Sequence, residues 1–258
     1  MAARVTEFYD RLSPEYRQNM GWDWEAVMRE EGATLDRFLA RLDGRRRPCS
    51  LLDCSCGIGT QAIGLALQGH DVHATDLSTV SIDTARQASA DFDVDMTFGV
   101  ADFRDLGAAV SATFDVVITC DNSIAHCLQD EDLAAALTSM KARLEPGGLL
   151  LISLRDYDAL VADKLCFNNE HIDDRPDGRR VVFQVWDWAE DGRSYRNHQF
   201  LIKETDGEYG VKHFETELRV LLRDELLAAV QDAGFDEVSW HDPAASGYYQ
   251  PIVTARNP

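Results

Sequence analysis

Leu51-Leu52-Asp53-Cys54-Ser55-Cys56-Gly57-Ile58-Gly59-Thr60, followed by Gln61 to Gln68, decides how the rest of the chain is read. A short apolar run ends in an acid, a loop with two glycines follows, and an amphipathic helix pattern comes next. The pattern predicts a strand, a tight turn and a helix whose N-terminus faces the turn. Gly57 and Gly59 permit backbone conformations closed to other residues and let a ligand approach the chain closely. The helix start presents free N–H groups and a positive dipole end. Such a turn suits a nucleoside-bearing ligand at the carboxyl edge of a parallel sheet. The loop alone does not specify a dinucleotide, because Gly57-x-Gly59-x-x-Ala62 meets that fingerprint only formally.

Outward from this loop, strand and helix alternate. Strands are predicted at about 50–54, 71–75, 96–100, 114–119 and 149–154, and helices at 60–68, 79–90 and 130–143. The run Phe114 to Thr119 is nearly continuous in Val and Ile, as expected of a strand buried on both faces. Glu145-Pro146-Gly147-Gly148 reads as a turn. This alternation implies an α/β fold with a doubly wound, mostly parallel sheet.

The flanks differ. Residues 1–48 read as helices, with a new segment opening at Ser13-Pro14, a long helix over roughly 24–42 and an end at Arg45-Arg46-Arg47-Pro48. Their aromatic residues suit packing or a helical lid. Residues 163–220 read as a small antiparallel insertion of three strands, 179–188, 195–204 and 209–218, joined by turns at Asp191-Gly192 and Asp206-Gly207. The core is therefore expected over 49–162 and 221–258, closing with a helix at 223–233 and a pair of edge strands.

Bulk properties bound the function. The chain has 258 residues, 45% of them hydrophobic, and a formal net charge of −20. Such acidity repels a phosphate backbone and argues against general nucleic-acid binding. No apolar run is long enough to span a membrane, and Met1 to Asp10 lacks a signal-peptide core, so a cytoplasmic protein is expected. The six cysteines form no C-x-x-C pair and are read as reduced thiols; no metal site is expected.

Acids close successive strands: Asp53, Asp76 and Asp102, with Asp121 after the fourth. Asp76 is placed to accept both ribose hydroxyls. Asp102 is placed to accept from an adenine amino group, with Phe103 against the ring. On these residues the chain resembles the class I S-adenosylmethionine-dependent methyltransferases over 51–152, a Rossmann-like fold. A closer resemblance, to glycine/sarcosine N-methyltransferases, rests on Asn122-Ser123-Ile124-Ala125-His126, on Pro146-Gly147-Gly148-Leu149-Leu150 leading to Arg155-Asp156-Tyr157-Asp158, and more loosely on Tyr9, Tyr16, Trp22/Trp24, Arg29 and Tyr248-Tyr249-Gln250-Pro251.

The resemblance implies S-adenosyl-L-methionine as cofactor and S-adenosyl-L-homocysteine as product. It places Asp53, Cys54, Ser55, Gly57, Gly59 and Thr60 around the methionine part, Asp76 and Leu77 at the ribose, and Asp102 and Phe103 at adenine. Asp121, His126, Tyr9, Tyr16 and Trp24 complete the cofactor contacts, and Arg29 pairs with the methionine carboxylate. Arg155 would clamp a substrate carboxylate, Asn122 would bond the substrate and Tyr157 would help orient it. Trp186, Tyr195 and Tyr248 are candidates for the substrate pocket, where aromatics could cage a methylated ammonium. The expected reaction is methyl transfer to the amine of a small carboxylate-bearing metabolite. A carbon, oxygen or guanidine acceptor, a binding module without chemistry and a nicotinamide dehydrogenase are the competing readings.

Overall fold

Two helices lead the chain, α1 (Ala2–Asn19) and α2 (Trp24–Asp43). The computed structural model describes residues 2–43 and 48–258; the expected helix end at Arg45-Arg46-Arg47 lies outside the described residues. The alternation follows as β1 (Ser50–Asp53), α3 (Thr60–Ala66), β2 (Asp71–Asp76), α4 (Thr79–Asp91), β3 (Thr97–Val100), β4 (Phe114–Thr119), α5 (Asp130–Lys141) and β5 (Leu144–Ser153). Short 3-10 turns at Phe103–Ala108 and Ser123–His126 follow β3 and β4. Next come α6 (Tyr157–Asp163), β6 (Phe167–Arg175), β7 (Gly178–Trp188), β8 (Ser194–Thr205) and β9 (Glu208–Arg219). The chain closes with α7 (Arg223–Asp232), β10 (Asp236–His241), α8 (Pro243–Ser246) and β11 (Ile252–Arg256).

The main sheet has the order β10-β11-β5-β4-β1-β2-β3. β1 pairs in parallel with β2 and β4, while β11 runs antiparallel to β5. The chain steps outward from β1 to β3, then returns beside β1 as β4. That reversal opens a crevice at the carboxyl ends of β1 and β4, where ligands of doubly wound sheets bind. Leu51, Leu52, Val117, Ile118, Leu150 and Ile152 are fully buried in the sheet and hold these strand ends in place. Among the described residues, no helix is long and apolar enough to cross a membrane.

Three expectations are corrected. Ser13-Pro14 does not open a new segment, because Pro14 lies inside a continuous α1. Proline forfeits only one helical hydrogen bond, and α1 is held by Phe8 and Leu12 packing on Val182, Leu201 and Phe214. Glu145 to Gly148 does not precede β5 but is absorbed within it. The pairing jumps from Phe114↔Leu144 to Val116↔Leu149, a bulge in which Gly147 has φ 71°. The antiparallel sheet has four strands, β6-β7-β8-β9, where three were expected. β6 escaped notice because Phe167–Arg175 is a mostly exposed edge strand, rich in Asn, Asp and Glu, with no apolar alternation. The Asp206-Gly207 turn forms as expected, with φ of 52° and 82° at its two residues.

Candidate active site

The glycine loop is clamped to β2. Cys56 N–H donates to the Thr75 carbonyl at 2.9 Å, and Gly57 N–H donates to Asp76 Oδ2 at 2.8 Å. Asp76 Oδ1 accepts from Ser78 N–H at 2.9 Å. Gly59 has φ 91°, and a Cβ there would lie 2.8 Å from Ile63 Cδ1. Gly57 has φ 52°, and a Cβ there would project into empty space. The first glycine therefore leaves room for a ligand, and the second lets α3 start close beneath it.

This loop, Asp76, Leu77, Asp102, Phe103 and Asp121 surround a cleft. Its electrostatics select the ligand's charge. Burial pushes the Asp53 carboxyl up to about 8, helped by the charges of Asp76 and Asp121 and opposed by the Ser55 backbone bond. Asp53 Oδ2 is buried without a hydrogen-bond partner. Burial also raises Asp76. Arg104 lines the cleft, but its guanidinium is already held by Asp102 and Asp132 at 2.6 Å each. Among the described residues a pyrophosphate would meet acids and no free lining cation, whereas a sulfonium and an ammonium would be attracted by Asp76 and Asp121. The cleft thus fits S-adenosylmethionine and disfavours a nicotinamide dinucleotide. Asp102 differs from its expected form, since both its oxygens engage Arg104. Burial raises its carboxyl and the Arg104 bonds more than reverse this, leaving it below the usual range.

A second cavity, of about 730 Å³, adjoins the first. Tyr9, Tyr16, Thr60, Asp121 and His126 line both. Tyr9 Oη lies 3.1 Å from His126 Nε2. Burial, and then the charge of Arg155, push His126 down to about 4, so its imidazole is neutral at pH 7. Trp24 donates from Nε1 to Thr60 Oγ1 at 2.9 Å, tying α2 to the first residue of α3. Cys54 and Ser55 line the first cleft.

Arg29 is not brought to the site. It pairs with Glu25 at 2.9 Å, its side chain half exposed, and lies over the Phe92 ring. The helical phase explains this, because Val27, Glu31 and Leu35 share the inward face of α2 and Arg29 does not. Glu31 occupies the cavity instead. Gln61 Nε2 donates to Glu31 at 2.6 Å and to Asp121 at 2.9 Å, and Tyr248 Oη bonds both acids at 3.0 and 2.8 Å. Tyr249 also donates to Asp121, at 2.7 Å. Burial, reinforced by the Asp121 charge, raises the Glu31 carboxyl. Glu31, Gln61 and Tyr249 escaped the sequence reading; the available signal was an acid at i, i+4 spacing between Val27 and Leu35.

Arg155, just past β5, lines the second cavity. Its Nη1 donates to Tyr195 Oη at 2.6 Å, and its guanidinium lies over Trp186, 4.9 Å from the ring centroid. Among the described residues it has no carboxylate partner within ion-pair distance. Asn122 Oδ1 accepts the Arg155 backbone N–H at 3.2 Å. Asp121 and Asn122 both have left-handed backbones, φ 54° and 68°. Such strain persists where surroundings fix it, here through the Ser153 hydroxyl and carbonyl, which accept both N–H groups.

The aromatic candidates take different places. Trp186 lines the cavity, but Arg155 already covers its face, so it is not a vacant cage for a methylated ammonium. Tyr157, Tyr195 and Tyr248 are buried and act from behind the wall: Tyr157 and Tyr195 share a hydroxyl contact at 3.2 Å, and Tyr248 holds the acids. Tyr249 is the tyrosine of that pair that reaches the cavity. Register places Trp186 beside Asn197 and Trp188 beside Tyr195 on the inner face, with His198 and Phe200 outside. On that outer face His198, His213 and Glu215 have metal-ligand spacing. His198 Nδ1 and His213 Nε2 are 2.9 Å apart, with centroids at 5.1 Å and planes within 18°. These values describe an edge-to-edge hydrogen bond rather than two nitrogens converging on an ion.

Residues 51–148 match a family described as a methyltransferase domain. The chain is 32% identical over 139 residues to a glycine/sarcosine N-methyltransferase of Parasynechococcus marenigrum, covering 54% of this chain and 48% of the relative. It is 29% identical over 137 residues to a ubiquinone biosynthesis O-methyltransferase of Xanthomonas axonopodis, covering 52% and 56%. The chain spans about half the length of the curated relatives it matches. The fold is similar throughout to the CcbJ methyltransferase from Streptomyces caelestis, with TM-score 0.76, 20% identity, and 97% and 98% of the two chains covered. Residues 51–148 thus carry a methyltransferase domain, and the doubly wound sheet around the acidic cleft has the Rossmann-like fold of S-adenosylmethionine-dependent methyltransferases.

Proposed function

We propose that the protein transfers the methyl group of S-adenosylmethionine to the amine of a small carboxylate-bearing molecule of the glycine, sarcosine or dimethylglycine type. The observation that carries this reading is Arg155, a half-buried guanidinium in the second cavity without an acidic partner among the described residues. A planar fork in that position suits a carboxylate, and burial strengthens the preference. Across the same cavity, Glu31 and Asp121 suit the cationic end of an amino acid.

Bound S-adenosylmethionine supplies a methyl carbon already activated by its sulfonium. The protein's own contribution is orientation. Arg155 would fix the acceptor's carboxylate, Asn122 would support Arg155 through its backbone, and Asp121 with Tyr9 and His126 would border the junction of the cavities. Holding the two reactants in line there removes much of the entropic barrier. The acceptor ammonium would give up its proton, to solvent or to the Glu31 and Asp121 acids that line the cavity, before its lone pair attacks the methyl carbon; no side chain is assigned as an obligatory base. The free, reduced cysteines suit a cytoplasmic enzyme.

The test is calorimetric titration with S-adenosylmethionine, then a methyl-transfer screen over glycine, sarcosine, dimethylglycine and guanidinoacetate, read by mass spectrometry. Turnover on a carboxylated amine supports the reading. Cofactor binding with turnover only on phenols or carbon acids transfers the enzyme to an oxygen or carbon acceptor. Tight binding without any turnover leaves a binding module.

A further inference from the structure

The second cavity is larger than a simple amino acid requires. Its volume of about 730 Å³ lies within the roughly 300–1,000 Å³ of pockets that hold drug-sized ligands, far more than glycine fills. One wall is also chemically unusual. The inner face of the antiparallel sheet would be expected to be apolar, and it is so at Val182 and Leu201 and again at Trp186 and Tyr195. Between them runs a belt of carboxamides, Gln184, Asn197 and Gln199, with Gln184 opposite Gln199 and Asn197 opposite Trp186.

Two of these amides satisfy each other. Gln184 Nε2 donates to Gln199 Oε1 at 2.8 Å, and Gln199 Nε2 reaches the Phe183 carbonyl. Asn197 differs. It is 5% exposed, it lines the cavity, and its Oδ1 is buried without a hydrogen-bond partner. A buried polar atom left unpaired costs about 1–3 kcal/mol, and a ligand donor meeting the carboxamide turned toward the cavity would remove that cost. A carboxamide offers one acceptor and one donor side. A hydroxyl can answer both, whereas a carboxylate only accepts and an ammonium only donates.

We infer that the acceptor is a polyhydroxylated amino compound, its carboxylate on Arg155 and its hydroxyl-bearing arm along Asn197. The inference rests on the amine-methylation reading above and adds the substrate class. Asn197 is then a specificity-determining residue, and the carboxamide belt is the surface that distinguishes the acceptor from glycine.

The experiment compares 2-amino-2-deoxygluconate with norleucine, two six-carbon amino acids that differ in their hydroxyls, alongside glycine. The wild-type protein is expected to favour the hydroxylated probe by at least about tenfold in kcat/KM, as a site built to bond hydroxyls does. Asn197→Leu should reduce that ratio to within about threefold, with S-adenosylmethionine affinity unchanged as the check on folding. Asn197→Asp, which keeps an acceptor, should retain part of the preference. Glycine or norleucine used as well as the hydroxylated probe would overturn the inference while leaving amine methylation standing. A preference that survives Asn197→Leu would also overturn it. If no probe is methylated, calorimetry with S-adenosylhomocysteine present decides: Asn197-dependent binding of the hydroxylated probe upholds the belt and refutes amine methylation, and no binding refutes the belt.

Discussion

Arg155 Nη1 donates to Tyr195 Oη at 2.6 Å and its Nη2 to Gln184 Oε1 at 3.5 Å, and these bonds join the end of β5 to the inner face of the antiparallel sheet. Tyr157 supports it from behind at 3.2 Å from the same hydroxyl. The guanidinium is thus aimed from one sheet and braced by the other. Arg155→Lys should raise the acceptor KM at least about tenfold, because an ammonium cannot reproduce the fork. Tyr195→Phe should have a smaller effect of the same kind, about threefold, for the loss of one hydrogen bond. Steady-state kinetics with acceptor varied, together with unchanged cofactor affinity by calorimetry, check both.

Asp76 holds the loop and faces the cofactor cleft. Asp76→Asn removes an acceptor from Gly57 N–H or Ser78 N–H and weakens any bond from a ribose hydroxyl. S-adenosylmethionine affinity should fall at least about tenfold, since bonds to a charged group contribute roughly 1.5–3 kcal/mol. Calorimetric titration measures the loss, and near wild-type affinity would remove Asp76 from the cofactor site.

Gly64 is where α3 touches α2. A Cβ there would lie 2.4 Å from the Met28 backbone oxygen and 2.8 Å from Gly32 Cα. Helix propensity alone says that Gly64→Ala stabilises by up to about 1 kcal/mol. The contact requires the opposite sign, a loss of about 1–3 kcal/mol through overpacking. Because α2 carries Trp24 and Glu31, cofactor affinity should fall as well. Urea denaturation distinguishes the two signs.

Two buried groups set opposing pH dependences. Asp53 rises from about 3.8 to about 8 on folding, so its contribution is most favourable below pH 4 and is lost as pH rises through 8. His126 falls from about 6.5 to about 4, so its contribution is complete above pH 6.5 and is lost as pH falls through 4. Between pH 4 and 6.5 the two one-proton slopes therefore oppose each other, and between pH 6.5 and 8 Asp53 alone makes stability fall. Denaturant midpoints across pH 4–9 test this, with Asp53→Asn expected to remove the fall between pH 6.5 and 8 and to uncover the His126 loss toward pH 4.

The fold was legible because its signals are local and periodic. The β1 loop, the apolar β4 run and the acids at the strand ends fixed a doubly wound sheet with an acidic crevice at one edge. Asp76, Leu77 and Phe103 line that cleft because residues just past parallel strands have one edge to occupy. Arg29 was misread because a helix face is set by phase and packing, and a motif quoted loosely across α1 and α2 fixes neither. β6 was missed because an exposed edge strand needs no apolar alternation.

Sequence by itself determined the chemistry of the first cleft, with glycines where a ligand approaches and acids where phosphate is excluded, and it put Arg155 just past β5. Tertiary structure alone decided which groups share the second cavity. Glu31 meets Asp121 through Gln61 and Tyr248, residues from four separate stretches of chain. Strand register, not local pattern, turned Asn197 inward and His198 outward. A period of two says which residues share a face, but only the packing of α1 against β7, β8 and β9 decides which face is covered.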